Sequence, residues 1–173
     1  NRNRIRHRGD QMIQVFQYPH ETLLQTSTPW TQDDSIAGYD DKEKFETDMI
    51  KLMLEERGMG LAANQIGITK RFFAIGHETF DTFQKHAIIW NPQVINFSEE
   101  KVIDVEGCLS FKDIFVKVER PKKIEVQYET TQGKTEFAKL NGMESKCFQH
   151  ELDHLDGITF NKRVSKLRWQ MAN

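Results

Sequence analysis

The sequence has only two cysteines, Cys108 and Cys147, among 173 residues. So few cysteines argue against a disulfide framework, and we expect both thiols to be reduced. No apolar run approaches the roughly 20 residues that a membrane-spanning helix needs, and the N-terminus lacks the apolar stretch of a secretory signal. We therefore expect a soluble, intracellular protein with no membrane partner.

A strong charge of either sign is also missing. The 24 Lys and Arg residues nearly balance the 26 Asp and Glu residues, so the formal net charge is -2. This balance gives no general attraction to nucleic acid, and we expect no specific nucleic-acid partner. The arginines of residues 1–11 are accompanied by almost nothing apolar, which predicts a disordered tail or an expression remnant, with a nucleic-acid-binding arm as the alternative.

The remaining chain is rich enough in apolar residues to fold as one unit. With 38% hydrophobic residues and 12 Phe, we expect a single catalytic domain over residues 12–173. Phe45, Met49 and Met53 recur at helical spacing, which predicts a helix with Asp40 or Asp41 as its N-cap residue and Gly58 as its stop signal. A second helix is expected to begin near Asn141 or Gly142.

Between these helices lies a block of runs that favour strands. Strands gathered in one block, without alternating helices, predict an α+β fold with antiparallel sheets packed around the C-terminal helix. A further short strand is expected at residues 12–19. The runs in the block are residues 71–76, 87–92, 101–107, 114–130 and 134–140.

The segment CFQHELDHLDG, residues 147–157, carries an HExxH motif. His150 and His154 are four residues apart, so on a helix both imidazoles project from one face and can bind one metal ion. Glu151 lies beside the first histidine, where a carboxylate can exchange a proton with a water on the metal. Two solvent-exposed histidines on a polar helix face remain the alternative interpretation.

A third metal ligand is expected upstream of this helix. Residues 155–173 contain no His, Cys or Glu. Cys147 lies about 10.5 Å from His154 along a helix axis, which is far for two ligands of one ion. Cys108, in the segment EGCLS, is the strongest candidate, because Gly107 lets the backbone approach a ligand closely. The other histidines of the chain lie in expected loops or in the tail: His7, His20, His77 and His86.

The segment GMGLAANQIG, residues 58–67, is rich in glycine and alanine. It lacks the lysine and hydroxyl residue of a phosphate-binding loop, so a nucleotide site is not expected. Gly60 would let an extended substrate backbone lie against the chain, with the Gln65 amide as a hydrogen-bond donor. Simple packing of small residues is the alternative.

Taken together, GMGLAANQIG, EGCLS and QHELDHLDG resemble the three signature motifs of the peptide deformylases, in order and at suitable separation. The resemblance implies removal of the formyl group from N-formylmethionyl nascent peptides. It implies that a metal-bound hydroxide attacks the formyl carbon, with Glu151 as general acid and base. It also implies that Cys108, His150 and His154 bind one divalent metal ion, with Fe2+ expected in vivo and Zn2+, Ni2+ or Co2+ possible in purified protein.

The same resemblance implies further roles by position. The Gln65 amide and the Leu109 backbone N–H would stabilise the oxyanion, and Glu106 and Arg120 would form a supporting ion pair. Two departures from the family pattern are Asn64, where many members have proline, and Phe111-Lys112. The residues implied to bind substrate are Gly60, Met59, Gly107, Phe115, Met143, Lys146 and Cys147.

The resemblance extends to partners and location. It implies action on formyl-Met peptides in the cytoplasm of a bacterium or phage host, or in an organelle, and we expect the protein to be a monomer. Residues 155–173 leave little room for the long basic helix that is associated with ribosome docking, so we expect any ribosome contact to be transient.

Overall fold

The structure, a computed structural model, describes residues 13–173. The expected tail at residues 1–11 and His7 therefore lie outside the described residues. The helices are α1 (Lys42–Glu55), α2 (Gly142–Leu155) and α3 (Lys166–Ala172). The strands are β1 (Gly60–Ala62), β2 (Phe72–Ile75), β3 (Ala87–Phe97), β4 (Lys101–Cys108), β5 (Phe111–Pro121), β6 (Lys123–Glu129) and β7 (Thr135–Asn141).

The strands form two antiparallel sheets. Five of them make one sheet in the order β1-β2-β3-β6-β7, and β4 and β5 pair as a separate hairpin. Helix α2 contacts strands of the five-stranded sheet and also β5 of the hairpin. The predicted α+β class, with antiparallel sheets around a helix near the C-terminus, is confirmed.

Strand β2 is buried on both of its faces, which explains its unbroken apolar sequence FFAI. Because side chains alternate along a strand, Phe72 faces the opposite way from Phe73. Phe72 packs with Phe45 of α1 in one apolar cluster, whereas Phe73 packs with Phe148 of α2 in another. The sheet is thus covered by α1 on one face and by α2 on the other.

Both predicted helices are present with the expected first residues. Asp41 caps α1 by accepting a hydrogen bond from the backbone N–H of Glu43. Asn141 is the N-cap residue of α2. Gly157 follows the end of α2 with a φ of 71°, and an added Cβ would lie 2.9 Å from the Leu24 carbonyl oxygen.

Some expectations about the strands were wrong. Residues 13–17 form no strand; instead the backbone N–H of Phe16 donates to the Gln65 carbonyl, which ties this segment to the site described below. The run 114–130 is divided between two sheets, because the chain leaves the hairpin at Pro121 and joins the larger sheet at Lys123. Pro121 has no N–H to continue a ladder.

Two elements were not predicted, namely β1 and α3. Strand β1 is only three residues long and lies in a glycine-rich segment, and α3 has no buried residue that would set a periodic pattern. Within residues 13–173, no helix is both long and apolar enough to cross a membrane.

Replacing Phe148 with alanine tests the packing of α2 on the sheet. The Phe148 side chain is fully buried and meets the Phe73 ring edge to face, with the ring centroids 5.0 Å apart. We expect a loss of about 3–5 kcal/mol in the free energy of unfolding, measured by urea denaturation of the metal-free protein. Phe137→Ala removes a ring that is 64% exposed and should cost less than about 0.5 kcal/mol. Equal losses would contradict this account.

Candidate active site

Three side chains with metal-binding atoms meet where the hairpin touches α2. The sulfur or ring nitrogen atoms of Cys108, His150 and His154 all lie within 4.8 Å of one another. The Cys108 Sγ atom is 3.3 Å from His154 Nε2. Two nitrogens and a thiolate suit a transition metal and leave a fourth tetrahedral position for a water or substrate. The cluster contains neither Cys147 nor another histidine of residues 13–173.

Local structure explains why these atoms converge. His150 and His154 are one helical turn apart on α2, and their ring centroids are 5.0 Å apart. Cys108 is the last residue of β4, where the pairing register with β5 shifts between Gly107 and Cys108. This irregularity is of the kind that redirects a side chain at the end of a strand.

A buried carboxylate orients the first histidine. Glu106 Oε1 lies 2.8 Å from His150 Nδ1, which leaves His150 Nε2 to face the cluster. The ion pair expected between Glu106 and Arg120 is present, with Arg120 Nε donating over 2.6 Å and Nη2 over 2.9 Å. Burial opposes the charged carboxylate, but the bonds from His150 and Arg120 prevail and lower the pKa of Glu106 to about 2.

The ion pair extends into a network that was not predicted. Asp153 accepts a hydrogen bond from Arg120 Nη1 (2.9 Å) and two from Arg163, from Nε (2.9 Å) and Nη2 (2.6 Å). Asp153 lies within the HExxH segment, but nothing in the neighbouring sequence distinguishes it from a solvent-exposed aspartate. Arg163 lies eight residues after Leu155, the last residue of α2. It reaches Asp153 only because the chain folds back towards the helix.

The two histidines have different protonation preferences in the metal-free protein. Burial opposes a charge on His150, but hydrogen bonds with Cys108 and Glu106 raise its pKa well above the usual value. For His154, burial and the neighbouring His150 both lower the pKa well below the usual value. A neutral imidazole offers the lone pair that a metal ion requires.

Glu151 lies next to the cluster, with its carboxylate pressed against Gly60. An added Cβ at Gly60 would lie 2.7 Å from Glu151 Oε1, so this glycine is required for close approach. Burial raises the pKa of Glu151 to about 7, although the charge on His150 opposes the shift. Such a carboxyl group can both accept and donate a proton near neutral pH. Its Oε2 atom is buried without a hydrogen-bond partner among residues 13–173.

The Gln65 side chain is held with its amino group towards the cluster. Its Oε1 accepts from the Ala62 backbone N–H over 2.8 Å. Its Nε2 donates to Ser110 Oγ over 3.0 Å and lies 3.7 Å from Cys108 Sγ. Ser110 was not predicted, because nothing in the sequence indicates that a buried serine would orient this amide. Leu109 lies between Cys108 and Ser110 in the chain, and its carbonyl oxygen accepts a hydrogen bond from Gln17 Nε2 over 2.8 Å.

The predicted substrate-binding side chains differ in their burial and contacts. Met59 and Cys147 both pack against the apolar cluster beneath α2, and burial together with Glu151 raises the pKa of the Cys147 thiol to about 12. Phe115 is 64% exposed, with its ring against Gly107, and Met143 is 45% exposed.

Lys146 is engaged at the edge of the hairpin. It donates to Asp104 Oδ2 over 2.9 Å and to the Val105 carbonyl over 3.1 Å. Two of the histidines expected in loops have side-chain partners nearby: His20 Nδ1 lies 2.9 Å from Thr22 Oγ1, and His77 Nδ1 lies 2.7 Å from Thr79 Oγ1.

Comparison with known proteins identifies the family. The family model described as Polypeptide deformylase matches residues 12–170. The chain belongs to the polypeptide deformylase family. The curated peptide deformylase of Rhizobium meliloti is 37% identical over 154 residues, which cover 89% of this chain and 86% of that protein. The chain is therefore an enzyme of the deformylase family.

Solved deformylase structures share the fold. The peptide deformylase of Thermotoga maritima aligns with a TM-score of 0.80 and 34% identity, covering 90% of this chain and 99% of that one. A class I type b peptide deformylase of Acinetobacter baumannii, solved with Met-Ala-Ser bound, aligns with a TM-score of 0.77 and 29% identity. That alignment covers 88% of this chain and 98% of the Acinetobacter chain.

The low pKa of Glu106 predicts a loss of stability in acid. Because the ordinary pKa is 4.5 and the folded-state pKa is about 2, its contribution is fully present above pH 4.5 and is lost as the pH falls towards 2. The stability difference between the metal-free wild type and Glu106→Gln should therefore shrink by about 1.4 kcal/mol per pH unit below 4.5. Urea denaturation between pH 6 and pH 3.5 measures it.

Glu119→Gln is the matched control, since it removes an exposed carboxylate from the same hairpin. Its stability should follow the wild type at every pH. A wild-type advantage over Glu106→Gln that stays constant down to pH 3.5 would contradict the role given to Glu106.

Proposed function

We propose that this deformylase hydrolyses the formyl amide of N-formylmethionyl peptides, releasing formate and a free methionyl amino group. The main support is the meeting of Cys108, His150 and His154 beside the buried carboxyl group of Glu151. The tripeptide bound to the Acinetobacter relative, Met-Ala-Ser, begins with methionine, as a deformylated product would.

Cys108, His150 and His154 would hold one divalent metal ion. The donor set fits such an ion, because a thiolate and two imidazoles accept several first-row metals. We propose Fe2+ in vivo, with Zn2+, Ni2+ or Co2+ as ions found in purified protein. When bound, the ion would polarise the formyl carbonyl and make a water molecule more acidic.

Glu151 would carry the proton in this reaction. It takes a proton from the attacking water, whose oxygen forms a bond to the formyl carbon. It then delivers the proton to the amide nitrogen as the carbon–nitrogen bond breaks, so that formate and the amine leave. A carboxyl group with a pKa of about 7 suits both steps near neutral pH.

Hydrogen-bond donors would stabilise the charge on the formyl oxygen. We assign this role to the Gln65 amino group and the Leu109 backbone N–H, as the family resemblance implies. Gln65 is already fixed by Ala62 and Ser110, so little reorganisation is needed when charge develops. A fixed donor of this kind typically contributes about 3 kcal/mol to the transition state.

We expect the substrate to lie between β1 and the hairpin. We propose that the backbone at Gly60 and Gly107 holds the peptide main chain. Met59 and Cys147 would then contact the methionine side chain, as members of the apolar cluster under α2. Phe115 and Met143 would be covered by the arriving peptide. Lys146 would flank it. We expect the enzyme to act as a monomer on nascent chains, with only transient ribosome contact.

Glu151→Ala tests the proton carrier. We expect formate release from a formyl-Met peptide to fall roughly 100-fold to 10,000-fold, because general acid–base catalysis is lost. Metal content should stay near one ion per chain, since Glu151 is not a ligand. Glu119→Ala, on the exposed face of the hairpin, should leave both quantities unchanged. Turnover near the wild-type level in Glu151→Ala would disprove the assignment.

Cys108→Ala tests the ligand set. Loss of the thiolate should reduce the bound metal, measured by elemental analysis after dialysis, to well below one ion per chain. Cys147→Ala removes the other thiol and should retain the ion. If the two variants kept equal metal, Cys108 would not be a ligand.

A further inference from the structure

Asn64 is fully buried and immediately precedes Gln65 in the short 3-10 turn Ala63–Ile66. It has no part in the reaction described above. Its side chain nevertheless spans two other segments. The Nδ2 group donates to the backbone carbonyl of His154 and, over 3.2 Å, to that of Thr22.

The amide serves as a donor at this place. Both partners are carbonyl oxygens, so the amino group must be the atom that faces them. Its Oδ1 atom is buried without a hydrogen-bond partner among residues 13–173. A buried polar atom without a partner costs about 1–3 kcal/mol, so an apolar side chain would be favoured here if filling space were the only requirement.

The bond to His154 joins two halves of the site. His154 contributes its Nε2 atom to the cluster, 3.3 Å from Cys108 Sγ, while Gln65 directs its Nε2 atom at the same sulfur from 3.7 Å. The turn that carries Gln65 is thus attached through Asn64 to the residue that carries one of the ligands. Proline has no side-chain donor and cannot make this attachment.

Resting on the proposed function, we infer that Asn64 is a positioning residue, which fixes the last turn of α2 against the Gln65 turn and so sets the placement of His154. The carbonyl of His154 also accepts the backbone N–H of Gly157 over 3.0 Å. Removing the Asn64 amide therefore leaves the helix end hydrogen-bonded. What is lost is the connection to the Gln65 turn.

Thr22 supplies a matched control. Its hydroxyl donates to the Asn64 backbone carbonyl over 2.7 Å, so Thr22→Val breaks this bond, and the contact of the hydroxyl with His20 Nδ1, without touching His154. Asn64→Ala breaks the bonds to the His154 and Thr22 carbonyls and leaves the backbone carbonyl of residue 64 in place. Both variants should lower the melting temperature, so stability alone does not separate a positioning role from a structural one.

The deciding measurement is the rate at which the zinc-loaded protein releases Zn2+ to a chromogenic chelator. We expect Asn64→Ala to release zinc roughly 10-fold faster than the wild type, as for other residues that orient a ligand. Thr22→Val should stay within about 2-fold, because it leaves the amide in place. Asn64→Asp places a carboxylate against two carbonyl oxygens and should release zinc faster still if it folds.

Deformylation kinetics provide the second readout. Asn64→Ala should lower kcat with little change in KM, because the proposed defect lies at the reacting group and not in peptide binding. If the wild type releases no formate, the proposed function fails, whereas the zinc measurement still decides the role of Asn64. Zinc release that is equally fast in Asn64→Ala and Thr22→Val would overturn the inference.

Discussion

Glu106 connects the two parts of the molecule that supply the proposed metal ligands. Its carboxylate comes from β4 and reaches both His150 on α2 and Arg120 on β5. Burying such charges is expensive, and the cost is offset only when every lone pair and proton finds a partner. Arg120 of β5 also donates a hydrogen bond to Asp153 of α2. The hairpin and the helix are therefore joined by two carboxylates, Glu106 on the hairpin and Asp153 on the helix. The position of Cys108, two residues after Glu106, depends on this connection.

Glu151, the proposed proton carrier, is placed by contact in addition to charge. Glu151 lies on the helix beside the histidines, and β1 presses the bare Cα of Gly60 against its carboxylate. Burial raises the pKa of this carboxyl group to about 7, and Gly60 is one of the residues that lie against it. Strand β1 is short, but its pairing with β2 fixes Gly60 opposite Ile75, and the close approach follows from that register.

Much of the site could be predicted from three short segments. The spacing of His150 and His154 requires a helix for both to reach one ion, and the lack of a downstream ligand directed attention to Cys108. The predicted pair Glu106–Arg120 is also present. Other contacts could not be predicted from the neighbouring sequence. Folding brings Ser110 within hydrogen-bond distance of Gln65. It likewise brings Asp153 within hydrogen-bond distance of Arg120 and Arg163. The expected strand at residues 12–19 was wrong because that segment bonds to the Gln65 turn and not to a sheet.

The amino-acid sequence alone predicts the proposed chemistry, because residue type and helical spacing decide which atoms could bind a metal ion or carry a proton. Periodicity likewise predicts α1, and the grouping of the strands in one block predicts the antiparallel class. The pKa values of Glu151 and Glu106 depend on the tertiary structure, because the burial of Glu151 and the hydrogen bonds of Glu106 involve chain segments that are distant in sequence. The tertiary structure also decided that the run 114–130 divides at Pro121 between two sheets, and that Asn64 reaches the carbonyl of His154, 90 residues further along the chain.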